Sequence, residues 1–222
     1  MSTTRRLPLF PLPLVLFPSV PLPLHVFEPR YRQLMADCLN GDREFGVIFR
    51  PDGIAERDLP PGHVGCVAHV ENSELLPDGR SNVLVRGTMR FALDHFIDSP
   101  HPYHVGETIS YADAVESPVS LEPAASRVRT LFERVGVAAR TLADDADSLP
   151  VLPDDPSLLA FAIAALIDME APARQRLLAS RSAADRLRQV ENLLSPAVDS
   201  LELRATVHVR AKTNGHGPHP EP

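Results

Sequence analysis

Lysine is almost absent from this chain. Its 22 basic residues are 21 arginines and a single lysine, Lys212. A P-loop needs a lysine to reach the terminal phosphates of a nucleotide, and no G-x-x-x-x-G-K run stands in the sequence. A Ser-Lys hydrolase needs a lysine base beside its serine, and Schiff-base chemistry needs a buried amine. One lysine close to the C-terminus argues against all three. Cysteine is nearly as scarce: Cys38 and Cys66 form no C-x-x-C and no disulfide framework, so they read as buried thiols in a reducing compartment. Tryptophan is missing altogether. Positive charge is in deficit, with a formal net charge of −7 over 222 residues. No overall field draws such a chain to nucleic acid or anionic lipid. The length suits one large domain or two small ones, and a 44% hydrophobic content suffices for a packed core.

The long apolar run from Leu7 to Phe27, preceded by Arg5 and Arg6, imitates a signal peptide or a membrane span. Its prolines exclude a helix. Pro8, Pro11, Pro13, Pro18, Pro21 and Pro23 recur every two to five residues, each at a cost of about 3 kcal/mol or more inside a helix. Extended chain fits instead. Successive N–H groups of a strand point to opposite edges, so prolines two apart remove donors from one edge only. Pro11/Pro13 and Pro21/Pro23 therefore mark edge or terminal strands, with the intervening leucines sharing one face. The expected location is cytoplasmic, without a membrane segment.

A first helix opens at Glu28-Pro29 and carries Tyr31, Leu34, Met35, Cys38 and Leu39 on one stripe. Gly41 is expected to end it in the left-handed conformation. Strands follow at 44–50, 63–70, around 83–93 and at 103–111, with Pro77-Asp78-Gly79-Arg80 as a turn and Gly87 as a bulge or corner. Beyond residues 114–122 the pattern turns helical. Val128 to Val135 is amphipathic, and Asp155-Pro156 reads as an N-cap followed by an all-apolar helix from Leu158 to Met169. Two more helices are expected at 172–179 and 182–194. Residues 196–210 fit either period: Leu201, Leu203, Ala205, Val207 and Val209 alternate as in a strand, whereas Leu187, Val190, Leu194, Val198, Leu201 and Ala205 follow a helix face. The helix is preferred, and 211–222 is expected to be a disordered tail.

Several stretches together resemble one family. They are Leu7-Pro8-Leu9-Phe10-Pro11-Leu12, Val15-Leu16-Phe17-Pro18, and Leu22-Pro23-Leu24-His25-Val26-Phe27-Glu28-Pro29-Arg30-Tyr31. Phe45-Gly46-Val47, Gly87 with Arg90-Phe91, Pro102-Tyr103 and Gln175-Arg176-Leu177-Leu178 add to them. The sequence is similar over about residues 6–195 to the N-terminal substrate-binding domain of the ATP-dependent protease Lon. The resemblance implies an α+β fold: a PUA-like β-barrel subdomain with one early helix over 1–115, followed by an α-helical bundle subdomain over 116–210. It also implies a stand-alone form of that domain, without the ATPase and Ser-Lys protease modules, and hence no enzyme and no cofactor. The implied role is binding of unfolded or client polypeptide, or of a protease partner. His25, Glu28, Arg30, Tyr31, Arg90 and Tyr103 are the candidate protein-binding residues. Four of them also have a plain structural reading: Glu28 as helix cap, Arg30 as ion-pair partner, Tyr31 as packing on the barrel, and Arg90 in a similar structural role.

Two rival functions remain at this level. PUA-like barrels elsewhere bind RNA, but residues 1–115 hold 10 arginines against 14 acids. An orphan ligand-binding hydrolase would need His and Asp clusters. His63, His69, His101 and His104 lack zinc spacing, and the aspartates at 144–155 lack the glycine and bidentate glutamate of a calcium loop. No metal and no catalytic residue is expected. Arg174, Arg176, Arg181, Arg186 and Arg188 read as a solvated helical face. The oligomeric state is open.

Overall fold

The structure is a computed structural model, and it describes residues 4–214. Six strands come first in the chain: β1 (Thr4–Leu12), β2 (Pro21–Val26), β3 (Glu44–Phe49), β4 (Val64–Leu75), β5 (Ser81–Ile97) and β6 (His104–Ser110). Helix α1 (Pro29–Asn40) lies between β2 and β3. The helices α2 (Pro118–Ala143), α3 (Pro156–Leu166), α4 (Ala171–Ala179) and α5 (Ala183–Asn214) follow. The sheet runs β2-β5-β4-β3-β1-β6 and closes on itself because β6 also pairs with β5. Among the described strand pairs, β1 with β3 is the parallel one.

Prolines dictate where the first strands go. β2 pairs with β5 alone, from Pro21 opposite Arg86 to Val26 opposite Ser81, and so forms the open edge. β1 passes between two neighbours but uses them in turn: Thr4 to Leu9 pair with β6, and Leu9 to Leu12 with β3. Each proline of β1 thus has a free side toward which its missing donor can face.

Glycine sets the width of the barrel. A Cβ on Gly65 would lie 2.4 Å from the Phe91 ring, and one on Gly46 would lie 2.8 Å from it. Phe91 fills that space, in one apolar cluster with Leu7, Leu9, Ile48, Val67 and Leu93. A second cluster joins α1, through Tyr31, Leu34, Met35 and Cys38, to Phe10, Phe45, Val47, Cys66, Val83 and Val85. Leu39 lies at the rim of the α1 stripe and is exposed. β5 carries the irregularity expected at Gly87: four residues, Gly87 to Arg90, face three, Ala68 to Cys66, on β4.

Two local expectations are corrected. Gly41 caps α1 at φ −108°, outside the left-handed region. That conformation falls on Arg43, at φ 63°, whose Nε donates to the Val70 carbonyl. The arginines of 174–188 do not form one solvated face: Arg186 is fully buried under the Phe161 ring, and Arg174 and Arg181 donate to backbone carbonyls.

Helical period wins at the C-terminus. α5 continues through Pro196 to Asn214. Leu187, Val190, Leu194, Val198 and Ala205 are buried, while Leu203, Val207 and Val209 of the competing alternation are exposed. Of the expected tail, residues 211–214 continue α5 and 215–222 lie outside the described residues. Asp155 accepts from the Ser157 N–H at 2.9 Å, so α3 begins as its Asp-Pro pair predicts.

The chain forms two compact units. One holds residues up to Val115 together with Ala164–Ser182; the other holds Glu116–Ile163 and residues from Ala183 onward. Helix α4 therefore belongs with the sheet. Among the described residues no helix is long and apolar enough to cross a membrane. The helical assignment of α5 has a direct test in chemical denaturation. Leu187→Ala is expected to cost about 2–5 kcal/mol, and Leu203→Ala no more than about 0.5 kcal/mol. A strand through 201–209 would make Leu203 the costly site.

Candidate functional site

The six residues singled out in the sequence fall into four settings, three of them around β2 and α1. β2 runs into α1 through Phe27 and Glu28. Glu28 sits at the N-cap, but its side chain makes no cap hydrogen bond. It accepts instead from Arg30 Nε at 3.0 Å. Arg30 directs its other two nitrogens at Glu56, with Nη1 to Oε2 at 2.6 Å and Nη2 to Oε1 at 2.8 Å. This is the planar two-point pairing that only a guanidinium offers. The Tyr31 hydroxyl donates to Glu56 Oε1 at 3.3 Å, and His104 Nε2 lies 2.9 Å from Oε2. Arg30 also covers the Tyr31 ring at 4.4 Å, and that ring stacks on Phe10 at 3.9 Å.

Glu56 is thus the centre of the cluster. Burial raises its carboxyl pKa, but the Arg30, His104 and Tyr31 contacts outweigh burial and hold it below the ordinary carboxylate value. Burial, reinforced by the neighbouring Glu56 charge, raises the Tyr31 phenol well above the usual tyrosine value. Both Glu56 oxygens are already engaged, so the group is suited to bracing α1 rather than to moving protons for a reaction.

Tyr103 lies at a second carboxylate. It is buried, and its hydroxyl donates to Asp37 Oδ2 of α1 at 2.8 Å. His101 stacks on its ring at 4.8 Å. Arg90 lies elsewhere in the same unit and is buried. It donates to the Leu178 carbonyl at 2.6 Å, to the Ser180 carbonyl at 2.7 Å and to Asp113. Around it, Tyr111 Oη donates to the Ala179 carbonyl and Gln175 Nε2 to the Val64 carbonyl. Arg90 is therefore the fastener of α4 on the sheet, not a surface contact.

His25 is the one candidate on an open surface. Its Nδ1 lies 2.9 Å from Asn82 Oδ1, and Asn82 Nδ2 donates to Glu74 Oε2 at 3.4 Å, a polar row across β2, β5 and β4. A cavity of about 390 Å³ lies here, lined by Pro23, Leu24, His25, Glu74, Asn82 and Leu84 among others. Phe27, 58% exposed, stacks with His25 at 6.1 Å, and Leu84 is 38% exposed. The edge of β2 is short of donors. Pro21 and Pro23 have no N–H, so Leu22, Leu24 and Val26 supply the bonds to β5 and His25 is left as the one residue of β2 able to donate outward.

Sequence reasoning missed Glu56, Asn82, Glu74 and Asp37. None has a motif, and each is joined to its partner by the fold across a gap of 8 to 66 residues. Among the described residues no group of three or more His, Cys, Asp or Glu is placed to hold a metal ion. Burial pushes the thiols of Cys38 and Cys66 up to about 12, which keeps both protonated and unreactive at neutral pH.

Comparison with known proteins agrees with this architecture. The family model of the ATP-dependent protease La (LON) substrate-binding domain matches residues 6–195, and the chain belongs to that family. Lon protease 2 of Herpetosiphon aurantiacus is 32% identical over 205 residues, which is 91% of this chain and 25% of that protein. Lon protease of Solibacter usitatus is 27% identical over 95% of this chain and 26% of its own length. The chain thus spans about a quarter of the length of these curated relatives. Among solved structures, a Lon N-terminal domain protein from Xanthomonas campestris is similar at TM-score 0.57 and 26% identity, over 84% of this chain and 96% of that one. The N-terminal domain of Mycobacterium avium complex Lon protease shares the fold at TM-score 0.65 and 16% identity, over 86% and 98% of the two chains.

Two substitutions separate the roles of these arginine and glutamate centres. Glu56→Gln is expected to lower the melting temperature at pH 7 and to flatten its decline in acid. A carboxyl with a depressed folded-state pKa contributes stability above its unfolded value, about 4.3, and loses it as pH falls through the folded value. Wild-type and variant melting curves should therefore converge once the pH falls below the folded-state value. Arg90→Ala, followed by urea denaturation, is expected to cost about 3–5 kcal/mol, because Asp113 and two carbonyls lose a buried partner.

Proposed function

We propose that this chain is a non-catalytic protein-binding module that holds unfolded or extended client polypeptide against the outer face of β2, β5 and β4. The observation that carries this reading is the apolar surface around His25. Leu84 stands beside Pro23 and Leu24 in the lining of the cavity, and Phe27, 58% exposed, stacks on His25 next to it. Exposed apolar groups gathered on one face of a folded domain mark an interaction site. The relatives' family description, a substrate-binding domain, supports the same reading.

The edge chemistry narrows the mode. A strand added to β2 would find the carbonyls of Pro21, Pro23 and His25 and a single donor, so a regular main-chain ladder cannot form. Recognition falls to side chains: apolar client residues against Phe27 and Leu84, with Glu74 and His25 as the polar contacts. The Glu28-Arg30-Glu56 cluster acts indirectly, by fixing the start of α1 and hence Phe27. A protease partner could use the same face, and the cytoplasm is the compartment in which we place it. The RNA alternative is disfavoured because Arg5, Arg6, Arg30, Arg57, Arg80, Arg86 and Arg90 all pair with carboxylates in this unit.

Fluorescence anisotropy with a labelled, permanently unfolded reporter protein tests the proposal. Phe27→Ala and Leu84→Asp are each expected to weaken binding roughly tenfold, equivalent to about 1.4 kcal/mol, at unchanged melting temperature. Failure of the wild type to bind the reporter sinks the reading. Retention of RNA that vanishes at higher salt would replace it with the nucleic-acid function.

A further inference from the structure

The helical unit carries a second apolar surface that the client-binding reading does not use. Helices α2 and α5 run parallel, as their cross-links show: Arg127 with Glu191 at 2.9 Å, Arg134 with Glu202 at 2.8 Å, and Asp144 with His208 at 3.1 Å. Between their C-terminal halves lies a groove of about 800 Å³. Its floor is small, formed by the buried Ala138 and Ala205. Its rims carry Val137, 59% exposed, and Val209, 48% exposed. Valine is a poor choice for an exposed helix position, because its branched Cβ loses rotamer freedom there without gaining burial. Two valines above an alanine floor make sense where another helix covers them, with branched knobs seated over small residues.

The charges on the groove say what that helix is. Glu133 and Arg210 line opposite ends, and neither has an ion-pair partner among the described residues. We propose that this face pairs with the same face of a second copy of the chain about a two-fold axis, with the helices of the two copies antiparallel. The two-fold brings Glu133 of each copy to Arg210 of the other, giving two reciprocal ion pairs at the ends of one apolar seam. A parallel arrangement would set Glu133 against Glu133 and Arg210 against Arg210. The face is thus self-complementary in charge. The seam spans nine residues on each helix, 133–141 and 202–210, or roughly 12 Å at 1.5 Å per residue. That modest length suits a reversible dimer.

Sedimentation velocity on the full chain, over roughly 1–200 µM, tests the pairing. The wild type is expected to shift from monomer to dimer across this range. Val137→Asp with Val209→Asp should leave a monomer throughout, with an unchanged circular dichroism spectrum and melting temperature. Glu133→Arg alone and Arg210→Glu alone should each weaken association about three- to tenfold, and the two together should restore it. A wild type that stays monomeric overturns the proposal. So does a dimer indifferent to the valine changes, or single charge reversals whose effects add instead of cancelling. A monomer that captures an added amphipathic helical peptide, and loses it with Val137→Asp, would assign the groove to a foreign helix and also overturn it.

Discussion

The buried guanidinium of Arg90 is the contact on which the shape of the sheet unit depends. It reaches from the middle of β5 to two carbonyls at the end of α4, 88 and 90 residues further along the chain. A charged group this deep is tolerable only when its donors are satisfied, and here the carbonyls of Leu178 and Ser180 and the carboxylate of Asp113 do so. The chain leaves the sheet at Glu116, builds α2 and most of α3, and returns at Ala164 so that α4 can be received. The Tyr111 and Gln175 bonds to backbone carbonyls complete the attachment.

The same economy of arginine runs through the rest of this unit. With lysine absent from it, arginine supplies the closest ion pairs among its described residues, and the planar fork lets one side chain serve several acceptors. Arg30 bridges Glu28 and Glu56 and covers Tyr31, so one residue fixes the turn from β2 into α1. The consequence for function is indirect. Arginines engaged in this way are not available to phosphates, and under the proposed function recognition falls to the apolar surface around His25.

Proline decides what that surface can do. Pro21 and Pro23 leave β2 bonded on one side and nearly without donors on the other. The open edge of a six-stranded sheet is thereby protected from indiscriminate strand addition, while Pro23, Leu24 and Leu84 still offer apolar contact. An apolar surface and a guarded edge arise from the same two residues. The family to which the chain belongs, defined by a substrate-binding domain, provides the setting in which such a surface has a use.

Much of this was legible in the sequence because it rests on local rules. Proline alternation marked β2 as an edge, Asp155-Pro156 marked the start of α3, and a stripe at helical spacing marked the buried face of α1. At 201–209 the sequence fitted both periods with only a lean to helix, and the structure follows the helical count that runs from Leu187 through Val198 to Ala205. What only the tertiary structure decided are the pairings between residues far apart. Glu56 carries no motif, yet it gathers Arg30, Tyr31 and His104. Arg90 reads as surface or core with equal ease until its carbonyl partners are in place. Hydrophobic period and backbone geometry are properties of neighbouring residues, so sequence alone determined the elements. The partner of a buried charge depends on which distant segments the closed sheet brings within 3 Å, and no local pattern contains that distance.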